Sequence, residues 1–294
     1  MRSGGMKSVP NQRFVLGFAS LLATVLAYTL LSNARLFRPE IVPPAQEIAV
    51  AFTELVVGAR PPPVTENDIH AGHHVHSSDH VGTLLQQGVT LQDSLAVTAA
   101  RVLFGLAAGV PLGVLLGVLM GWSRRADDYL HPIYVLLRSV PPLALITYVM
   151  LWLGHGEAHR LIPIVYAVAA TMVIPAYHGV RDVAATYVVA ARSLGARRWL
   201  LVRKVVLPAA GPAVLAGLRY AVAIAWMTAV GAEMLMSENG MGNLIVGGGL
   251  WASRTQTKAD PAVVIVGILA LAAAGWAMDA LARAATARLT RWVR

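Results

Sequence analysis

Three groups of residues in this 294-residue chain have types and spacings that could do chemistry. The first is a histidine-rich tract: His70, His73, His74, His76 and His80, with Asp68 and Asp79 among them. Imidazoles spaced this closely beside carboxylates can hold zinc, nickel or copper. The same composition also describes a solvated loop, which would lose chain entropy on closing around an ion. The second group lies inside apolar runs: Ser139, Arg219, Thr228 and Glu233, with Pro141 and Trp226 beside them. A charge at membrane depth is costly and usually faces a cavity, so these six are candidates for a pathway or its gates. Arg219 suits a counter-charge for an anion or a snorkelling anchor. Glu233 would repel an anion, and suits an outer gate held by hydrogen bonds to helix-end amides or a partner helix. Trp226 reads as a gate or a packing residue, and Thr228 can bond back to its own helix. The third group is a basic, alanine-rich stretch, 189–208, in which Ala190, Ala191, Gly195, Arg197, Arg198, Leu207 and Pro208 stand out. A short helix can stop at Gly195 in a left-handed cap. A second short helix then starts near Arg197, with Pro208 marking its end. Two short helices at an angle make a knob that can sit in another protein's groove.

Other chemistries find little support. There is no cysteine, hence no disulfide framework or thiolate site. No phosphate loop of the form G-x-x-x-x-G-K-S/T occurs, so any ATP-driven motor is a separate chain. His178 and Glu233 fall at opposite ends of their apolar runs, so they cannot form a catalytic pair.

The elements that position these residues are membrane helices. The chain is 56% apolar and 13% charged, about half the charged fraction of a soluble domain. The net charge of +9 is accounted for by Lys and Arg gathered on the cytosolic side of a membrane. Lipid is therefore the expected neighbour, and nucleic acid is not.

Arg2, Lys7 and Arg13 precede an apolar run over 14–31. A cleaved signal peptide competes here, but the run exceeds the usual ~7–15 residues, so a retained first helix is expected. An amphipathic helix is expected over 41–57, with Ile48, Phe52, Leu55 and Val56 on one face, lying on the outer membrane surface. Helix two covers 94–122, and its uncharged core, 102–122, spans about 32 Å, enough for a hydrocarbon layer of about 30 Å. Gly105, Gly109, Gly113, Gly117 and Gly121 recur every fourth residue and form a ridge that a neighbouring helix can approach closely. Pro111 is expected to bend it. Residues 123–128 read as a polar turn. Helix three follows over 132–153, with a bent lead-in at Pro141-Pro142 and Arg138 near the cytosolic surface. Helix four covers 161–180, kinked near Pro175; helix five 212–236; a re-entrant or surface helix 243–258; helix six 262–281.

The chain thus divides into 1–31, the cytosolic N-terminus and first helix; 32–91, an extracytoplasmic segment; 92–282, the transmembrane core with a cytosolic loop over 181–211; and 283–294, a basic cytosolic tail. Six spans place both termini on one side. Arg124, Arg125 and the loop and tail arginines share that side, whereas Glu40, Glu47, Glu54, Glu66, Asp68, Asp79, Asp93 and Glu157 lie opposite, which puts the termini in the cytosol.

The stretch 189–208 resembles the EAA loop of bacterial ABC-importer permeases, E-A-A, three residues, G, nine residues, I-x-L-P. Ala190, Ala191, Gly195, Leu207 and Pro208 match, Val205 takes the Ile position, and Val189 replaces the Glu. Arg138-Ser139-Val140-Pro141-Pro142-Leu143-Ala144, Gly217-Leu218-Arg219, Ala232-Glu233-Met234-Leu235 and Gly240-Met241-Gly242 look like the nitrate/sulfonate/taurine branch, taurine permeases above all. The resemblance covers about 92–290 and leaves out the histidine tract. It implies an all-α, six-span type I (MetI-like) permease fold in a bacterial inner membrane. It also implies two copies lining a pathway for a small anion. Their loops would dock on two cytosolic ATPase subunits that hold ATP and Mg, and a periplasmic or lipid-anchored binding protein would deliver the cargo. This chain would bind no cofactor and catalyse no covalent step. Two readings outside that family are an ATPase-independent secondary transporter and a metal transporter built on the histidine tract.

Overall fold

The computed structural model describes residues 23–24, 26–30, 32, 43–57, 90–154, 156–183, 185–235, 239–246 and 261–289. His70, His73, His74, His76 and His80, most of the expected first helix, and residues 247–258 lie outside the described residues. The chain forms two units, 1–88 with 247–266 and 89–246 with 267–294.

In the first unit, α1 covers Ala45–Val57. Tyr28 and Ser32 donate hydrogen bonds to the Pro43 carbonyl at 2.9 and 3.1 Å, tying the described piece of the first helix to the start of α1. Ala51 and Leu55 are buried in this unit, and Phe52 is exposed.

The second unit is all helix: α2 (Leu91–Trp122), α3 (Arg124–Arg138), α4 (Pro142–Leu153), α5 (Glu157–Arg181), α6 (Ala185–Ser193), α7 (Arg198–Leu201), α8 (Leu207–Met234) and α9 (Met241–Val246). The last helix, α10 (Pro261–Leu289), starts in the first unit and runs on in the second. Among the described residues, four helices are long and apolar enough to cross a membrane. They become five if the pair α3 and α4, bent by 88°, counts as one span.

The glycine ridge of α2 lies against α5, as its spacing predicts. A Cβ at Gly109 would sit 2.7 Å from Val168 Cβ, and one at Gly121 would sit 2.8 Å from the Tyr177 carbonyl oxygen. The paired positions rise together along both helices, from Gly105 on Ile164 to Gly121 on Val180, so the two run parallel. α8 runs antiparallel to α5, with Gly179 on Ala213 and Gly217 on Pro175. Val102, Ile164, Val168, Met172, Val222 and Trp226 close the core between α2, α5 and α8.

Helix boundaries depart from the sequence reading: α5 starts at Glu157 and not 161, α10 runs to Leu289 and not 281, and two further departures have a visible cause. Residues 124–128 are helix, because the Ser123 hydroxyl accepts from the Ala126 amide and caps α3. Pro208 does not end a helix. Arg198–Met234 is continuous, passing through a π-helical turn at Val202–Val206 with Pro208 in the first turn of α8. A wider turn relieves the clash of a proline ring with the preceding carbonyls and needs no donor from it.

Candidate functional site

α3 climbs along α5 from one end to the middle. At the end, Tyr177 donates to Asp127 at 2.9 Å and Arg181 bridges the same carboxylate at 2.8 Å. Two turns on, Tyr134 donates to the Ala170 carbonyl at 2.9 Å. At the top, the Tyr166 hydroxyl reaches the Leu137 carbonyl and lies 3.4 Å from that of Val140. There the chain turns through Ser139, Val140 and Pro141 into α4. The corner therefore stands beside the middle of α5. This corrects the placement of Arg138 near the cytosolic surface. Helix three begins at Arg124, so Arg138 ends up about 20 Å along it.

The bend opens a recess of about 580 Å3 between α3, the corner, α5 and α8. Tyr134, Arg138, Tyr166, Thr171, Gly217 and Tyr220 are among the residues that line it. Of the six pathway or gate candidates, none is in its wall, although Arg138, Val140, Pro142 and Tyr220 adjoin three of them. Ser139 donates to the Val135 carbonyl at 2.8 Å, and Pro141 caps α4. Arg219 is 3.4 Å from Asp279, which also pairs with Arg283. Trp226 is buried, with its indole N–H 3.2 Å from Met278 Sδ, and Thr228 bonds back to the Ile224 carbonyl at 2.8 Å.

At the other end of α5 lies a buried polar knot that the sequence reading did not assemble. Arg101 donates to Glu233 at 2.7 Å, to both oxygens of Glu157 at 2.7 and 3.0 Å, and to Asn239 Oδ1 at 2.6 Å. Arg160 adds a bond to Glu157 at 2.6 Å. Glu233 also accepts from the Gly242 amide at 3.0 Å and from the Thr98 hydroxyl at 2.8 Å, and that hydroxyl accepts from the Met241 amide at 2.9 Å. Arg101 and Glu233 are 4% and 1% exposed, so both charges have left water. Such burial is tolerated only when every lone pair and proton finds a partner. Gly240 permits the approach: its φ is +100°, and a Cβ there would stand 2.6 Å from the Glu233 carboxylate oxygens. Arg101 escaped the sequence reading because it sits one residue before the uncharged core of helix two. The signal was one arginine and two glutamates, all toward the same end of three apolar helices.

The stretch 189–208 forms a helix–turn–helix. Gly195, at φ +80°, donates to the Arg192 carbonyl at 2.9 Å, and Ala196 donates to that of Ala191 at 3.0 Å. These two bonds make a Schellman cap. Leu201, Val206 and Ala210 bury against Val180, with Val188 and Ala191 packed beside them. The outer surface is apolar and basic: Leu194 is 89% and Trp199 72% exposed, flanked by Arg192, Arg197 and Arg198. Ala190, Leu207 and Pro208 are exposed as well. Nothing lies within 4 Å of a Cβ built on Gly195.

The profile of the binding-protein-dependent transport system inner membrane component family matches residues 109–291. A Brucella melitensis protein named as a probable ABC transporter permease is 34% identical over 71% of this chain and 82% of its own. The taurine transport system permease protein of Escherichia coli is 33% identical over 69% of this chain and 71% of its own. A Bacillus subtilis permease protein named for aliphatic sulfonates transport is 31% identical over 67% and 69%. Among solved structures, a chain of the inward-facing MetNI methionine ABC transporter superposes with a TM-score of 0.55. That match covers 68% of this chain and 94% of that one at 20% identity, a likeness of fold.

Proposed function

The chain belongs to the family of binding-protein-dependent inner-membrane transport components, and from that premise we propose that it passes taurine or a related small sulfonate across the membrane. It is the permease subunit of an ABC importer, a multi-pass protein of the bacterial inner membrane, and not itself a catalyst. ATP belongs to its ATPase partner.

In the proposed assembly two copies of the chain, each with six spans and cytosolic termini, face each other. Two ATPase subunits, binding ATP with Mg, receive the helix–turn–helix around Gly195, and an extracytoplasmic binding protein supplies the cargo. The supporting observation is the exposed apolar knob of α6 and α7. It is anchored by Leu201 and Val206 and is continuous through Arg198–Met234 with a membrane helix. A push on the knob is thereby transmitted to α8 as a rigid element, which is what alternating access between two states requires. Val189 in place of the family glutamate leaves an apolar residue, 61% exposed, where relatives of the EAA pattern carry a charge.

The test is reconstitution of the chain with its ATPase and binding protein in proteoliposomes. ATP-dependent uptake of taurine is expected. Uptake that proceeds without the ATPase, or a complex that carries only uncharged cargo, overturns the reading.

A further inference from the structure

The recess beside Arg138 has no part in the polar knot and contains none of the six pathway candidates. We propose that it is a transit site for a small organic anion, in which the Arg138 guanidinium receives the tetrahedral oxyanion of the cargo halfway across the membrane. The inference rests on the sulfonate reading above for the class of cargo, and on geometry for the site.

Four observations carry it. First, depth: the wall residues Tyr166, Thr171, Gly217 and Tyr220 belong to the middle turns of α5 (Glu157–Arg181) and α8 (Leu207–Met234), well away from either end. An arginine at that depth needs either a counter-charge or a water-filled cavity. Second, Arg138 is exposed and has no ion pair among the described residues; Tyr134 lines the same wall. Arg101, Arg160, Arg181, Arg219 and Arg283 each have a carboxylate. Third, irregular backbone at membrane depth occurs where it lines a cavity, and the 88° corner at Ser139–Pro141 does so. Fourth, the wall suits a small zwitterionic or anionic molecule. The volume of about 580 Å3 falls within the usual range for small-ligand sites. Arginine matches a tetrahedral oxyanion by forked hydrogen bonds. The Tyr220 hydroxyl, without a hydrogen bond among the described residues, adds a donor.

A single cation also suits passage. A pathway site must bind well enough to admit its cargo and weakly enough to release it. Two opposed carboxylates would block an anion, and a cluster of arginines would hold it.

The chain has no cysteine, so Thr171→Cys provides one reporter thiol in the wall. The intact complex with its ATPase, in nanodiscs without nucleotide, is treated with sulfonatoethyl methanethiosulfonate or its trimethylammonium counterpart. Labelling of this chain is followed by intact mass. Relative to free-thiol rates, the sulfonate reagent is expected to react faster than the cationic one. Adding Arg138→Gln should cut its rate about fivefold, and Arg138→Lys should retain most of it, as expected for one charge at close range. Millimolar taurine should slow the reaction. Equal rates with and without the Arg138 charge, or no labelling by either reagent, overturn the proposal. So does labelling blocked in phosphatidylglycerol nanodiscs but free in phosphatidylcholine ones, which identifies the occupant as a lipid headgroup. A charge effect without taurine protection supports the anion site and sinks taurine as its cargo. Taurine uptake with no charge effect leaves the importer reading intact and removes only this site.

Discussion

At the end of the bundle where α5 begins, the buried charges of Arg101 and Glu233 are answered from within the chain; at the end where α6 and α7 lie, apolar side chains stand in the open. The first region sets two arginines against two glutamates and adds Thr98, Asn239 and a backbone amide, so that every polar side-chain atom of Arg101 and Glu233 has a partner. The second leaves Leu194 and Trp199 exposed around a turn closed by the two backbone bonds at Gly195 and Ala196. A saturated buried network stabilises one arrangement of helices and has no valence left for a partner. A rigid apolar surface is the reverse: its backbone is settled and its side chains are not, which is the state of an interface awaiting its other half.

Substitutions can break this contrast, the strongest first. Glu233→Leu strands Arg101 with one carboxylate too few in a buried site. It should destabilise the solubilised chain by on the order of 3 kcal/mol, seen as a lower midpoint of thermal unfolding. Joining it to Arg101→Met should restore much of the loss, because removing both charges also removes their desolvation cost. A single variant that melts like the wild type means that the knot holds nothing. Trp199→Ala should leave the midpoint alone and weaken ATPase association by roughly 2 kcal/mol, the scale of an interface anchor, measured by titration in nanodiscs. If stability falls instead, the side chain is packing and the knob is no interface.

Gly195→Asp separates backbone from docking. Space around the position is open, so the variant should fold at a cost of about 1 kcal/mol for a non-glycine residue at positive φ. Uptake per ATP hydrolysed should nevertheless fall, because a charge now stands on the docking turn. Wild-type coupling in a folded variant would remove Gly195 from the interface. Arg219→Gln should do least. Its pair with Asp279 is half-exposed, so a stability change under about 1 kcal/mol is expected, with uptake retained. A severe transport defect there would return Arg219 to the pathway.

The sequence was most legible where one periodicity governs. The four-residue glycine step foretold a close helix contact along that ridge, though not that α5 makes it, and the Gly195 cap lies where the spacing put it. It was least legible where partners are far apart in the chain. Arg101 meets Glu233 across 132 positions, and no local pattern joins them. Helix three shows a third case. A polar start, Ser123 to Asp128, reads as a turn until its capping bond is seen, and that error moved Arg138 from the middle of the bundle to its edge. Four of the six pathway candidates, Ser139, Arg219, Thr228 and Glu233, were chosen for polarity inside apolar runs. Arg219, Thr228 and Glu233 bond to neighbours, and Arg138, expected near the cytosolic surface, lines the recess with no carboxylate partner among the described residues.

The central claim is that the α6–α7 knob meets a separate ATPase in the cytosol. On this cysteine-free chain, Leu194→Cys gives one thiol at the tip of the knob. A short bifunctional maleimide, applied to the assembled transporter, should join this chain to the ATPase subunit, and ATP should change the yield. No such adduct, together with labelling of the same thiol from outside intact cells by a membrane-impermeant maleimide, would contradict the account.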